Sequence, residues 1–365
     1  MLKNFTKPKK PDFSIFILVI LLTLFGIVMV YNASVFEAWQ IYANKYHFLK
    51  AQLTWFGIGL LGLLVMTFIS LNLIKKMAGV FFSLTLVLLV AVLIPGIGNT
   101  ALGARRWINI SGFNLQPTEL VKLSLSIYLS AWLIKHRSFW SYLLILGIIL
   151  GLIMLQPDLG TAIVIIFFSV MVYYVAGANW LYLLTVGIFG SLSGAVLILT
   201  SHYRKARLLT FLNPTLDPLG SSYHIRQALI TIGSGGLFGL GLGQSRQKYQ
   251  FLPQVTTDSI FAVIAEELGF LGASLLIIFF LLLVFKAFKI ARLAVDDFSR
   301  LLATAIASWL AIQIAVNLAA MLALIPLTGV PLPFISYGGS SLIVNLTAVG
   351  LLLNISRYQL NPKKK

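Results

Sequence analysis

The sequence contains no cysteine and few acidic residues. The absence of cysteine from 365 residues excludes disulfide bonds, thiol catalysis and cysteine-ligated metals. Only 10% of the residues are charged and only 10 are Asp or Glu, whereas 59% are hydrophobic. So little charge among so many apolar residues indicates a polytopic membrane protein rather than a soluble one.

Apolar runs of about 20 residues, the length of helix that crosses roughly 30 Å of hydrocarbon, recur along the chain. We predict an all-α fold of about ten transmembrane helices, with no soluble domain. The first run is too long, and too soon followed by others, for a cleaved signal peptide. The predicted spans lie near residues 13–33, 48–70, 77–96, 118–134, 140–156, 160–177, 180–201, 257–285, 301–325 and 339–356.

These spans predict one membrane domain over residues 1–365, with cytoplasmic tails at 1–12 and 357–365. A large outer loop, at about 202–256, separates the seventh and eighth helices. The net charge of +17 follows from the positive-inside rule, because most basic residues lie at the ends of spans that an even count places in the cytoplasm. Nucleic-acid binding is therefore not expected. These inner basic residues are Lys3, Lys7, Lys9, Lys10, Lys75, Lys76, Lys135, Arg137, Lys286, Lys289, Arg292, Lys363, Lys364 and Lys365.

A second group of basic residues lies in the predicted outer loops, where topology gives cations no reason to gather. An anionic ligand at the outer face would explain them. The alternative is that their side chains extend to lipid phosphates. These outer cations include Arg105, Arg106, Arg204, Lys205, Arg207, Arg226, Arg246 and Lys248.

Asp258 stands where a polar loop turns into a long apolar helix, in LPQVTTDSIFAVIAEELG. An ionisable group beside hydrocarbon is costly and marks a functional site by default. The alternative is that Asp258 only caps the helix. Glu266 and Glu267 follow on the same helix and need a cation, a polar cavity or a proton.

Two more motifs carry charge beside predicted spans. In QPTELVK, Glu119 and Lys122 are three residues apart, so they share one helix face and can form an ion pair. That pair either pins helix packing or forms a polar wall of a substrate cavity. In QPDLG, Asp158 is interpreted as the cap of the sixth predicted helix.

Two outer segments are rich in glycine or proline. GSGGLFGLGLG at 233–243 lacks the Gly-Lys-Ser/Thr ending of a nucleotide-binding loop, and we interpret it as a flexible or close-packed re-entrant piece. Prolines and glycines break PLTGVPLPFISYGGSS at 326–341, and broken backbone at membrane depth is tolerated where it lines a cavity. No metalloprotease motif, Ser-His-Asp order or strong internal repeat occurs.

Several of these motifs, in this order, resemble the SEDS family of bacterial cell-wall proteins, the group of FtsW and RodA. GLGQSRQK and LTGVPLPFISYGGSS look more like the FtsW division branch than the RodA elongation branch. Ser259, Gln254 and His224 depart from the usual Phe, Glu and Gln of the family. The motifs that carry the resemblance are YNAS, GARRWI, QPTELVK, QPDLG, YRKAR, GSGGLFGLGLGQSRQKYQFLP, TTDSIFAVIAEELGFLG and PLTGVPLPFISYGGSS.

The resemblance implies a glycosyltransferase that polymerises lipid II at the outer face of the bacterial cytoplasmic membrane, by inverting hexosyl transfer with release of undecaprenyl diphosphate. Its implied partners are a class B penicillin-binding transpeptidase and other divisome proteins at the septum. The family's essential catalytic aspartate matches Asp258, and the positions matching Glu119 and Lys122 line the same polar cavity. No nucleotide, haem or flavin is implied, although a divalent cation (Mg or Mn) could share the diphosphate charge.

The chemistry of this transfer fits the outer residues. The acceptor hydroxyl needs a base, which Asp258 could supply, and the departing diphosphate needs cations. A lipid II flippase and a non-enzymatic scaffold are the alternatives, but a flippase should offer phosphate-binding charge on both sides. The predicted substrate-binding residues are Arg105, Arg106, Trp107, Gln116, Glu119, Lys122, Arg204, Arg207, Lys248 and Ser336.

Overall fold

The computed structural model describes residues 9–101, 104–110, 113–136, 138–200, 202–212, 222–248 and 252–359. These ranges contain twelve helices and three short strands. In chain order the elements are α1 (Phe13–Tyr42), α2 (His47–Phe68), α3 (Leu71–Ala91), β1 (Gly98–Ala101), β2 (Ala104–Ile110), β3 (Phe113–Leu115), α4 (Pro117–Trp132), α5 (Phe139–Leu155), α6 (Leu159–Val175), α7 (Trp180–Leu199), α8 (His202–Leu212), α9 (Tyr223–Ser234), α10 (Ile260–Leu293), α11 (Asp297–Met321) and α12 (Gly339–Ser356).

Each predicted span overlaps a helix, although the bounds differ by several residues, as for 77–96 against α3 at Leu71–Ala91. Six helices are long and apolar enough to cross a membrane, namely α1, α2, α3, α10, α11 and α12. Shorter apolar helices occur at α5, at α6 and over residues 180–196 of α7, and α4 carries the predicted ion pair. The two remaining helices, α8 and α9, lie within the predicted outer loop. The chain is therefore mostly helical.

The expectation of an all-α fold was incomplete, because a small sheet forms between α3 and α4. Its three strands pair antiparallel in the order β1-β2-β3. Asn109 of β2 donates from its side-chain amide to Asn114 Oδ1 of β3 at 2.8 Å. These strands are short and include polar residues, so they carry no long apolar pattern that would predict them.

The core is built around α11 and α12. In both helices 78% of the most apolar stretch is buried, against 22% in α2 and 28% in α3. Helix α12 packs closely on α2, because a Cβ added at Gly350 would lie 2.4 Å from the backbone oxygen of Leu63. Small residues permit such close approach of membrane helices. The outward faces of α2 and α3 are thereby left for lipid.

Helix α10 is kinked at Gly269, whose φ of 69° and ψ of −171° are not helical. The glycine-rich segment 235–243 packs into this kink. The Phe270 amide donates to Gly236 O at 2.8 Å, and the Leu240 amide donates to Glu266 O at 3.0 Å. A Cβ at Gly239 would lie 2.2 Å from Glu267 O. The segment is therefore close-packed, and glycine is needed where the two backbones touch.

Candidate active site

A cavity of about 1610 Å³ lies among α1, α2, α4, α6, α11 and the segments at 254–258 and 325–341. Helix α1 reaches it because its 30 residues extend about 45 Å, well beyond a hydrocarbon core of roughly 30 Å. Several predicted site residues from separate parts of the chain meet here. Those that line the cavity are Arg106, Trp107, Gln116, Glu119, Arg207, Lys248 and Asp258.

Asp258 lies in a turn before α10 and does not cap that helix. The N-cap residue is Ser259, and no side chain accepts a capping hydrogen bond there. The backbone oxygen of Asp258 accepts from Asn317 Nδ2 at 3.1 Å. A Cβ at Gly329 would lie 3.5 Å from Asp258 Oδ2, so the carboxylate faces the 326–341 segment. The capping alternative therefore lacks structural support.

Ser336 is hydrogen-bonded to the turn that carries Asp258. Its hydroxyl donates to Thr257 O at 2.6 Å, and its oxygen accepts from the Leu332 amide at 2.8 Å. The Tyr337 amide also donates to Thr256 O at 2.8 Å. Ser336 is not among the residues that line the cavity. Its observed contacts are those of a positioning residue, and its contact with substrate stays a prediction.

The environment of Asp258 favours a neutral carboxyl more than water does. Burial raises the pKa of Asp258 to about 6, and the charge of Asp158 adds to this rise. The charges of Arg207 and Arg106 oppose it. A carboxylate with a pKa near the working pH is well matched to general-base catalysis.

Two departures from the family pattern contact each other beside this turn. His224 Nε2 and Ser259 Oγ are hydrogen-bonded at 2.7 Å, and Ser259 Oγ donates to Pro253 O at 2.9 Å. Burial, reinforced by the charge of Arg207, lowers the pKa of His224 to about 4. The imidazole is therefore neutral near pH 7. His224 and Ser259 thus form one polar contact beside the turn, and the aspartate itself is retained at position 258.

Two arginines are fixed to backbone carbonyls at the cavity wall. Arg106 donates through Nε to Gln156 O at 2.9 Å and through Nη2 to Pro157 O at 2.5 Å. Arg207 Nη1 donates to Leu327 O at 2.8 Å. Arg105 is exposed and does not line the cavity, and the side chain of Arg204 lies outside the described residues.

Glu119 and Lys122 form a buried ion pair, with Lys122 Nζ 2.8 Å from Glu119 Oε2. Lys122 also donates to Gln313 Oε1 at 2.8 Å and lies 5.0 Å from the centre of the Trp309 ring. Glu119 lines the cavity, whereas Lys122 lies behind it. The pair therefore joins α4 to α11, and Glu119 adds a polar group to the cavity wall, whereas contact of either residue with substrate stays a prediction.

Lys248 and the two glutamates of α10 form a second buried network. Lys248 Nζ lies 3.2 Å from Glu267 Oε1 and donates to Asn32 Oδ1 at 2.8 Å. Glu266 accepts from the Arg246 amide at 3.2 Å and from the Ser245 hydroxyl. Glu267 is therefore paired with a cation, and Glu266 accepts hydrogen bonds from neutral donors. Lys248 lines the cavity while holding this network together, and its substrate contact stays a prediction.

Known proteins are similar to this chain over nearly its whole length. The family model for FtsW, RodA and SpoVE, described as a cell cycle protein, matches residues 12–361. The chain belongs to this FtsW/RodA/SpoVE family. It is 41% identical to stage V sporulation protein E of Bacillus subtilis (strain 168), over 97% of this chain and 99% of that protein. It is 42% identical to the probable peptidoglycan glycosyltransferase FtsW of Trichlorobacter lovleyi, over 94% and 93%.

Solved structures share the fold of this FtsW/RodA/SpoVE member. One is a chain from "Structural coordination of polymerization and crosslinking by a peptidoglycan synthase complex", with a TM-score of 0.78 and 32% identity over 96% of this chain and 99% of that chain. Another is Thermus thermophilus RodA, with a TM-score of 0.70 and 31% identity over 96% and 98%. The arrangement of helices around the cavity is thus a family fold.

Some residues of this family member's site were not predicted as site residues. Asp158 does cap α6, accepting from the Thr161 amide at 3.1 Å, but it also lines the cavity. Gln313 donates to Pro331 O at 2.9 Å, and Asn317 donates to Val330 O at 2.8 Å. A signal was present, because Gln313 and Asn317 are polar residues four apart on one face of an apolar helix.

The cavity of this FtsW/RodA/SpoVE member offers few ligands for a divalent cation. Among the described residues, no group of three or more His, Cys, Asp and Glu side chains could hold a metal ion. Four carboxylates, Glu37, Glu119, Asp158 and Asp258, line the cavity, but no three of them are grouped as the ligands that a closed Mg²⁺ site requires. The described residues therefore do not fit a resident metal site.

Proposed function

We propose that this protein is a peptidoglycan glycosyltransferase that polymerises lipid II at the outer face of the cytoplasmic membrane during cell division. The observation that carries the proposal is the position of Asp258, which lies in a large cavity lined by Arg106 and Arg207. The names of the FtsW relatives support the same activity. A fluorescent fusion that follows the lateral wall instead of the septum would favour the elongation alternative.

In this mechanism Asp258 takes the proton of the acceptor 4-hydroxyl as general base. The hydroxyl oxygen then attacks the anomeric carbon of the donor sugar from the face opposite the diphosphate. A new glycosidic bond forms with inversion as the bond to the diphosphate oxygen breaks. Arg106 and Arg207 stabilise the charge on the departing undecaprenyl diphosphate. Trp107 offers a surface for sugar or polyprenyl stacking.

Purified protein should therefore make glycan without an energy source. Reconstituted with a class B transpeptidase and lipid II in the accessible leaflet, it should form chains without ATP or an ion gradient. The partner is included because a relative of known structure comes from a peptidoglycan synthase complex. Gel analysis of the glycan is the measurement. Translocation of lipid II with no polymer would favour the flippase, and neither activity would favour the scaffold.

The proposed topology has ten membrane crossings with both termini in the cytoplasm, and single cysteines test it without background labelling because native cysteine is absent. Lys45 is exposed between α1 and α2, and Asp297 is exposed at the start of α11. We expect Lys45→Cys to react with an impermeant thiol reagent in intact cells, or in spheroplasts where an outer membrane intervenes. Asp297→Cys should react only after lysis. Labelling of Asp297→Cys before lysis would place this residue on the outer side and the cavity on the cytoplasmic side.

The polymerisation rate should rise with pH through a midpoint near 6. The pKa of Asp258 is raised by burial to about 6, and a general base acts only when deprotonated. Because the charge of Arg207 lowers this pKa, Arg207→Gln should move the acid limb to higher pH. Profiles of kcat/KM against pH measure both effects. If the acid limb of Arg207→Gln stayed at the wild-type pH, that limb would not be due to the titration of Asp258.

The same pKa shift predicts how folding stability depends on pH. The folded chain binds the Asp258 proton more tightly than the unfolded chain does. The contribution of Asp258 to stability therefore falls as pH rises from 3.8 to about 6. Thermal unfolding of the wild type and of Asp258→Asn across this range would isolate the contribution, because the Asn variant lacks the titrating group.

A further inference from the structure

A second pocket of about 430 Å³ lies at the opposite ends of the helices, on the predicted cytoplasmic side. It is formed by the start of α3, by the end of α4 and by the residues that follow α4. The two helices pack through stacked rings of Phe82 and Tyr128, with centroids 4.4 Å apart. Tyr128 and the buried Ala78 line the pocket. The concavity is thus built by helix packing and is separate from the Asp258 cavity.

Basic side chains surround this pocket from both elements. Lys75 and Lys76 come from α3, while Lys135 and His136 follow α4. No carboxylate lines the pocket, and none of its lysines has an ion pair among the described residues. Lys75 Nζ instead lies 5.8 Å from the centre of the Phe298 ring. Its concentrated positive charge is therefore not neutralised by a carboxylate in the described part of the chain.

The start of α3 adds to this charge. Ser70 makes no side-chain capping hydrogen bond there, and the first turn holds no acidic residue. The partial positive charge of a helix N-terminus disfavours nearby lysines and favours an anion. Lys75 and Lys76 occupy the second turn and add their own charges next to the partial positive charge of the first turn. An anion in the pocket would offset both effects.

The surface next to the pocket fits the acyl chain of a lipid. Val80, Leu84 and Val87 continue along α3 from Lys76 at helical spacing, and they are 57%, 57% and 62% exposed. They form an apolar stripe that leads from the pocket along the outside of the bundle. Such a stripe suits an acyl chain, and a free phosphate would not use it.

We propose that this pocket binds the phosphate of an anionic membrane phospholipid, with an acyl chain along the Val80–Val87 stripe. Trp132 lines the pocket and stacks on His136, with ring centroids 5.6 Å apart. An indole at this level is typical of the headgroup region of a bilayer. Basic pockets between transmembrane helices on the cytoplasmic side bind lipid headgroups by this combination of charge and shape.

Native mass spectrometry of the purified full chain, titrated with phosphatidylglycerol or phosphatidylcholine, tests the proposal. We expect retained phosphatidylglycerol and little phosphatidylcholine. The triple variant Lys75→Gln, Lys76→Gln, Lys135→Gln should bind phosphatidylglycerol about 100-fold more weakly, since each basic residue near the surface contributes about fivefold. The matched control is Lys286→Gln, Lys289→Gln, Arg292→Gln. It loses the same charge on the same predicted side, outside the pocket, and should keep the wild-type affinity.

A steric variant separates the pocket from its charge. Gly79 lines the pocket, and a Cβ there would meet no atom within 4 Å. Gly79→Phe should therefore fold, keep every lysine and still weaken lipid binding. Equal losses in the two triple variants, or full binding by Gly79→Phe, would mean attraction to charge alone and would overturn the proposal. Displacement of the lipid by inorganic phosphate at matched concentration would overturn the lipid assignment in favour of an ion site.

Discussion

Asp258→Asn is expected to abolish lipid II polymerisation while the protein keeps its fold. The substitution preserves the size of the side chain and leaves the bond from Asn317 to the backbone oxygen of residue 258 in place. It removes the proton acceptor, which contributes typically about 100- to 10,000-fold to the rate. It also removes a negative charge close to Arg207 and Arg106. Glycan synthesis by purified protein with its transpeptidase measures the loss.

A matched substitution controls for any role of Asp258 as a helix N-cap. Asp296 is the N-cap of α11, accepts from the Ser299 amide at 3.0 Å and does not line the cavity. Asn and Asp rank alike at N-cap positions, so Asp296→Asn should polymerise at close to the wild-type rate. Asp296→Asn should unfold near the wild-type temperature, and Asp258→Asn at that temperature or above it, because it lacks the buried charge that costs the wild type stability above about pH 6. An Asp258→Asn protein as active as Asp296→Asn would remove the catalytic assignment.

Lys122→Met is expected to cause a large loss of stability. Glu119 and Lys122 are each 2% exposed, so the variant leaves a carboxylate buried without its cation. Breaking a buried pair in this way costs about 3–5 kcal/mol. Activity should fall as well, because Glu119 lines the cavity. Thermal unfolding in detergent, compared with polymerisation at a temperature where the variant is folded, separates the two effects.

An exposed pair with the same spacing provides the control. Arg300 Nη2 lies 2.9 Å from Asp297 Oδ1, with side chains 47% and 63% exposed. Water screens such a pair, so Arg300→Met should cost at most about 1 kcal/mol. Adding Glu119→Gln to Lys122→Met should restore part of the lost stability, because no unpaired charge remains. A Lys122→Met cost no greater than that of Arg300→Met would show that the buried pair does not join α4 to α11.

The order of the helices along the chain could be predicted from the sequence, because the hydrophobic pattern of a helix depends only on neighbouring residues. Each predicted span overlaps a helix, and Asp158 caps α6 as QPDLG indicated. The motifs by themselves indicated the family, and the family match over residues 12–361 confirms it. These features depend on neighbouring residues and on the helix length that a bilayer requires.

Local patterns also left some elements unpredicted. The strands β1 to β3 are too short and too polar to give a signal, and their pairing is a tertiary event. The kink at Gly269 could not be predicted either, because it depends on the packing of the glycine-rich segment 235–243 against α10. A single glycine within an apolar helix does not reveal which segment will approach it.

The sequence by itself determined the membrane class, the family, the helix order and the presence of costly charges near the predicted outer loops. The tertiary structure alone decided which groups lie next to each charge. It set Asp258 in a turn beside Arg207, joined Lys248 to Glu267, paired Lys122 with Glu119 and bound the Ser336 hydroxyl to the turn. The physical reason is that a charge beside hydrocarbon must be compensated, which composition reveals. Which partner compensates it depends on helices far apart in the chain, and only their packing brings those partners within hydrogen-bonding distance.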